Sequence, residues 1–144
     1  MEQIHATCVD IEGSGVLIRG EPGSGKSDLA LRLIDEGARL VSDDYTNVEI
    51  SGKRLVASAP DQIKGLMEIR GVGVVQMGCV KKVDLSLLVD LVEIGLVERL
   101  PEESDEEMLG AAIRRISLFS FEASATAKVR FALKAATGLI IQKT

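Results

Sequence analysis

The spacing of apolar positions changes several times along the chain, and each change marks an element. The run Gly15-Val16-Leu17-Ile18-Arg19 reads as a strand, and residues 4–11 read as a strand before it. Glu12-Gly13-Ser14-Gly15 between them has turn chemistry, so the two predict a hairpin. Over residues 27–36 the period becomes helical, with Leu29, Ala30, Leu33 and Ile34 on one face. Asp28, Arg32, Asp35 and Glu36 lie mainly on the other, Leu31 falls off the stripe, and Gly37 is a natural C-cap. Residues 38–42 predict a strand ending in Asp43-Asp44, and residues 46–50 and 54–57 flank Ser51-Gly52-Lys53 as a second hairpin. Pro60 opens a short helical stretch over residues 61–66, and residues 67–76 read as one glycine-interrupted strand.

Residues 83–92, whose only charges are Asp84 and Asp90, predict a core strand. Residues 102–107 hold five acids around Ser104 and predict a solvated or poorly ordered loop. Ala125, Val129, Ala132, Leu133 and Ala136 then recur at helical spacing, with Gly138 as the stop. The sum is one mixed α/β domain over residues 1–144 with hairpins in a mixed sheet, not an alternating βαβ array.

Composition narrows the function classes. With no Trp, three Phe and one Tyr, aliphatic side chains must build the core. A net charge of −5 argues against a nucleic-acid binder, which would present a basic face. Cys8 and Cys79 match no metal or CxxC spacing, which points to a reduced, intracellular protein. Met1-Glu2-Gln3-Ile4-His5 has neither a basic nor an apolar leader region, and no run approaches a membrane span. The expectation is a cytoplasmic protein without membrane or nucleic-acid partners.

The chemistry begins at Gly20-Glu21-Pro22-Gly23-Ser24-Gly25-Lys26-Ser27, which fits G-x-x-x-x-G-K-[ST]. Gly20, Gly23 and Gly25 are expected to take positive φ and let the backbone approach a polyphosphate. Successive N–H groups and the N-terminus of the following helix then face the anion. Lys26 supplies a point charge for the terminal phosphates, and the Ser27 hydroxyl is a ligand for Mg²⁺. A glycine-rich turn matching by chance is the bland alternative; the strand before it and the helix after it argue for function.

Three further sites are less specific. Asp43-Asp44 closes a strand expected beside the phosphate-loop strand, where ligands of such sheets bind. One carboxylate can orient a metal while the other accepts a proton from an attacking hydroxyl, although a turn carboxylate after a strand is common. His5, the only histidine, lies on the hairpin feeding the loop, and a lone strand histidine is more often structural than catalytic. Glu68 and Arg70, beside Gly71 and Gly73, suit either a segment closing over phosphates or an edge-strand ion pair.

Together these segments resemble the catalytic domain of the HPr(Ser) kinase/phosphorylase family. The resemblance is carried by His5 with Val9-Asp10-Ile11, Gly15-Val16-Leu17-Ile18, the loop from Gly20 to Ser27, Arg39-Leu40-Val41-Ser42-Asp43-Asp44 and residues 67–76. The last is similar to that family's signature of a hydrophobic residue, Glu, Ile, Arg, Gly, an aliphatic residue and Gly. Order and gaps agree from His5 through Val75, about half the chain, and the tail is looser.

The resemblance implies a catalytic role for His5 and Lys26. It implies that Asp44 accepts the substrate proton in kinase chemistry and donates it in reverse, with Asp43 in support. Ser27 and Glu68 would bind Mg²⁺, and Arg70 would steady the transferring phosphoryl charge. The run 67–76 would serve both phosphorylation and dephosphorylation. The implied donor is ATP, the implied substrate a serine of HPr or an HPr-like phosphocarrier, the implied fold the phosphoenolpyruvate carboxykinase core, and the implied assembly a homohexamer.

Two departures stand out. The family's long form has an additional N-terminal domain, and this chain, starting almost at the catalytic domain, resembles the short form. The family's later catalytic arginine lies in a Pro-x-x-x-Gly-Arg context, whereas the corresponding stretch here is Ile116-Ser117-Leu118-Phe119-Ser120-Phe121-Glu122-Ala123-Ser124. The expectation is therefore an ATP- and Mg²⁺-dependent protein-serine kinase with a weaker reverse phosphorylase reaction. A small-molecule kinase on the same fold and a non-catalytic nucleotide-binding regulator are the alternatives. The intact Asp43-Asp44 pair argues against the second, since binding alone needs no base.

Overall fold

A computed structural model describes residues 1–143 as a curled mixed sheet carrying two helices. The chain runs β1 (Glu2–Ile4), β2 (Thr7–Ile11), β3 (Ser14–Arg19), α1 (Lys26–Asp35), β4 (Arg39–Ser42), β5 (Thr46–Ser51) and β6 (Arg54–Ser58). It continues through β7 (Leu66–Ile69), β8 (Gly73–Gln76), β9 (Val83–Leu91), β10 (Ser104–Met108), β11 (Ala111–Leu118) and α2 (Ala125–Ala136). Among the described residues, no helix is long and apolar enough to cross a membrane.

The main sheet is ordered β1-β5-β6-β9-β3-β2-β4. β9 holds the two halves together. Its first residues pair with β6, its last five with β11, and β3 runs parallel along the opposite edge. Alternate residues of the central strands enter different cores. Val16, Ile18, Leu87 and Val89 face the helices with Leu29, Leu33, Val129 and Leu133. Leu17 and Leu88 face the other way, onto Cys8, Val41, Val48 and Ile113. A strand covered on both faces needs apolar side chains on both, which is why Val16-Leu17-Ile18 of β3 and Leu87-Leu88-Val89 of β9 read as unbroken runs.

Both helices end as their glycines predict. Gly37 and Gly138 take φ of 115° and 81°. Ala38 N–H reaches Leu33 O at 2.9 Å, and Leu139 N–H reaches Lys134 O at 2.8 Å, the six-to-one bond of a Schellman cap.

Several boundaries differ from the sequence pattern. The strand expected over residues 4–11 is broken at His5-Ala6, and β1 pairs with β5, not with the hairpin. Residues 67–76 form a two-stranded hairpin, β7–β8, because Gly71 and Gly73 adopt positive φ and turn the chain back. The stretch expected to be helical over 61–66 is a single 3₁₀ turn, Asp61–Ile63.

The acidic stretch expected to be a loop instead contributes β10, paired antiparallel with β11. Glu103, Asp105 and Glu106 pair with arginines. Arg114 lies 3.3 Å from Asp105, and Arg19 lies 2.8 Å from Glu106. Arg19 also holds Asp90 through two bonds of 2.8 and 3.0 Å, and Arg115 reaches Asp90 at 2.5 Å. Burial pulls Asp90 upward, but the two guanidiniums outweigh it and hold the carboxyl below its ordinary value.

Candidate active site

The loop from Gly20 to Ser27 joins the C-terminal end of β3 to α1. Gly23 and Gly25 have φ of 83° and 97°, and Gly25 is the residue before the helix. Gly20 differs from expectation: it does not take positive φ, and it is glycine because a Cβ there would lie 2.3 Å from Ser24 Oγ. Lys26 is buried, and its ammonium donates to the loop's own carbonyls, Gly20 O at 2.8 Å and Glu21 O at 3.3 Å. Ser24 Oγ is the one buried side-chain oxygen or nitrogen among the described residues without a hydrogen-bond partner. An orphaned hydroxyl, a folded-back ammonium and a left-handed glycine at a helix N-terminus fit an anion in this loop.

β4 runs antiparallel to β2, which runs antiparallel to β3, so the end of β4 stands at the same sheet edge as the loop. There the two carboxylates separate sharply. Asp43 is buried and accepts three bonds: from Ser27 Oγ at 2.7 Å, from Thr7 Oγ1 at 3.2 Å and from Glu68 N–H at 3.3 Å. Asp44 is exposed and accepts from His5 Nε2 at 2.8 Å. Tyr45 N–H donates to Asp43 O at 2.7 Å while Asp44 holds φ of 68°, a tight three-residue turn of a strained kind. Two contacts hold that turn: Ser42 Oγ donates to Tyr45 O, and Thr7 Oγ1 accepts from Asp44 N–H at 3.2 Å. The His5 ring stacks on Tyr45 with centroids 4.9 Å apart.

The structure thus gathers His5, Ser27, Asp43, Asp44 and the Glu68 backbone around one point. Glu68 is exposed on β7, and Arg70 stands in the turn beyond it; no ion pair joins the two among the described residues. Ser27 and Asp43 are hard oxygen donors in contact, the donor type Mg²⁺ takes when phosphates and water complete its shell. Thr7 was missed. Its signal was one hydroxyl inside the apolar run after His5, and only strand pairing shows that it bridges both aspartates. Ser120 and Arg32 were also missed: Ser120 Oγ donates to Ser24 O at 2.6 Å, and Arg32 donates to Ser120 O. A cavity of about 1040 Å³ lies elsewhere, between residues 94–104, β11 and α2.

The same arrangement has relatives. The family model for the HPr Serine kinase C-terminal domain matches residues 1–129. The HPr kinase/phosphorylase of Clostridium tetani is 39% identical over 112 residues, 75% of this chain and 36% of that protein. That of Peptoclostridium acidaminophilum is 49% identical over 75 residues, 51% of this chain and 24% of that protein. The solved Hpr(Ser) kinase/phosphatase from Coxiella burnetii superposes with a TM-score of 0.85 at 26% identity, covering 96% of this chain and 98% of that one.

Fold and site together define a phosphate-loop α/β domain with a paired-carboxylate centre. The chain belongs to the HPr serine kinase C-terminal domain family. It spans about a third of the length of the first curated relatives it matches.

Proposed function

We propose that this domain transfers the γ-phosphoryl group of ATP to a serine hydroxyl of HPr or an HPr-like phosphocarrier. The observation that carries the reading is the split between the adjacent carboxylates. Asp43 is buried and tied to Ser27 at 2.7 Å, while Asp44 is exposed and tied to His5 at 2.8 Å. A regulator that only binds nucleotide has no use for a solvent-facing carboxylate held in a strained turn beside the phosphate loop.

In this mechanism the loop N–H groups and Lys26 hold the polyphosphate, Lys26 exchanging its two loop carbonyls for phosphate oxygens. Ser27, Asp43 and Glu68 supply oxygens for Mg²⁺, which when bound neutralises phosphate charge. The substrate serine approaches Asp44, which takes the hydroxyl proton as the serine oxygen bonds to phosphorus and ADP leaves with the bridging oxygen. His5, donating to Asp44 at 2.8 Å, orients its carboxylate. Arg70 faces the transferring group from the β7–β8 hairpin once substrate is bound.

By resemblance to its family, the working assembly is a homohexamer and its setting the cytoplasm. The test is incubation with labelled ATP, Mg²⁺ and candidate carriers, followed by phosphosite mapping. Label on a carrier serine is expected; carrier-independent ATP consumption, or label on a small molecule, refutes it. Running backward places a serine-phosphate beside inorganic phosphate, and this chain has no arginine in the stretch 116–124 to hold the second anion. Pyrophosphate release from phosphorylated carrier in excess phosphate is expected to be slower than the forward reaction. Faster release would show that another cation, such as Lys128 or Arg130, does that work.

A further inference from the structure

We infer that Phe121 is the platform on which the base of a bound nucleotide stacks, an inference that rests on the proposal that the loop holds a nucleoside triphosphate. The chain has only three phenylalanines, and two of them, Phe119 and Phe121, stand in the loop that follows β11. Phe121 is 55% exposed. A single exposed apolar ring is ordinary by itself, so the case rests on where this one stands.

Its position gives one. The ring edge presses on the phosphate loop: a Cβ on Gly25 would meet Phe121 Cζ at 2.9 Å. The segment carrying it is clamped from three sides. Ser120 Oγ donates to Ser24 O at 2.6 Å, Arg32 of α1 donates to Ser120 O, and Phe119 meets Phe121 edge-on with centroids 5.7 Å apart and planes at 74°. The ring is therefore held in place before any ligand arrives, and preorganisation is what makes a stacking surface effective.

Sheet topology supplies the direction. β4 and β11 each lie two strands from β3, on opposite sides, and the ends of all three open at one sheet edge. Asp43 and Asp44 stand at the end of β4, and Phe121 stands just past the end of β11. A triphosphate lying along the loop with its terminal phosphate at the aspartates has its nucleoside end on the Phe121 side. Every nucleobase offers a π-face, and an aromatic ring against it stabilises binding without demanding a particular base.

The experiment compares ATP with inorganic tripolyphosphate, which has the phosphates and no base, by calorimetric titration in Mg²⁺. Phe121→Ala is expected to weaken ATP about tenfold, within the range for loss of one stacked base, and to leave tripolyphosphate unchanged. Phe121→Tyr is expected to retain ATP. Because the chain contains no Trp, Phe121→Trp introduces a unique fluorophore, expected to be quenched by ATP and not by tripolyphosphate. Equal loss of both ligands in Phe121→Ala would mean that the ring only braces the loop, and unchanged ATP affinity would remove the platform altogether. Wild-type protein binding tripolyphosphate as tightly as ATP overturns the platform while leaving the phosphate loop in place. Binding neither overturns the nucleotide reading itself, and the platform with it.

Discussion

Exchanging each aspartate of the pair for asparagine, one at a time, separates structure from chemistry at this site. Asp43 accepts from Ser27 and Thr7 on one oxygen and from the Glu68 N–H on the other. Asparagine has a single acceptor oxygen. If it keeps the two hydroxyls, its amide nitrogen turns a donor toward the Glu68 N–H, 3.3 Å from the present oxygen. If it flips, both hydroxyls lose their acceptor. Either way a donor facing the buried carboxylate goes unpaired, at a cost of about 1–3 kcal/mol. For a domain of this size that lowers Tm by roughly 3–10 °C.

Asp44→Asn meets a different environment. Its side chain is exposed, its bond to His5 is at the surface, and asparagine tolerates the positive φ of 68°. Its stability should stay within about 0.5 kcal/mol of the parent. Its transfer rate should fall at least ~100-fold, the scale for losing a general base, with nucleotide affinity retained. Thermal melts and single-turnover transfer on the two variants make the comparison. An Asp43→Asn melt superimposable on the parent would refute the three-donor account. Near-normal transfer by Asp44→Asn would move the base elsewhere, with His5 the first candidate.

Other outcomes follow from the same contacts. Lys26→Ala should abolish nucleotide binding in a calorimetric titration while the circular-dichroism spectrum stays native; retained affinity would remove the phosphate-loop assignment. Gly25→Ala should destabilise by about 2–4 kcal/mol in urea titration, because φ of 97° strains alanine and its Cβ would lie 2.1 Å from Ser120 Oγ. Asp90→Asn tests the arginine cluster by pH. The folded-state pKa of Asp90 is lowered, so its stabilisation is complete above the unfolded value, about 3.9, and is lost as pH falls through the folded one. The variant should melt well below the parent at pH 7, and the gap should narrow in acid below about pH 4.

Much of this was legible along the chain because the relevant physics is local. The phosphate loop is set by glycines, a lysine and a serine within eight positions, and flanking strand and helix follow from short-range periodicity. β9 and both helix stops were legible for the same reason. The acidic segment misled because a run of like charges looks solvated until its partners are known. Arg19 and Arg114 are distant in sequence or across a turn, and they convert Ser104–Met108 into a strand edge. The glycines of residues 67–76 signalled a break, but whether they interrupt a strand or reverse it depends on φ, which composition leaves open.

The deepest limit concerns the carboxylates. Two identical side chains in sequence carry no mark of which is buried. That difference arises only when β2 lies against β4 and sets Thr7 between them, and when the β7 backbone closes over Asp43. The sequence alone carried the phosphate-loop reading, because that motif is a run of eight neighbouring residues whose backbone preferences are local. Tertiary structure decided that Asp43 is enclosed and Asp44 open, because burial belongs to strand pairing across the whole sheet.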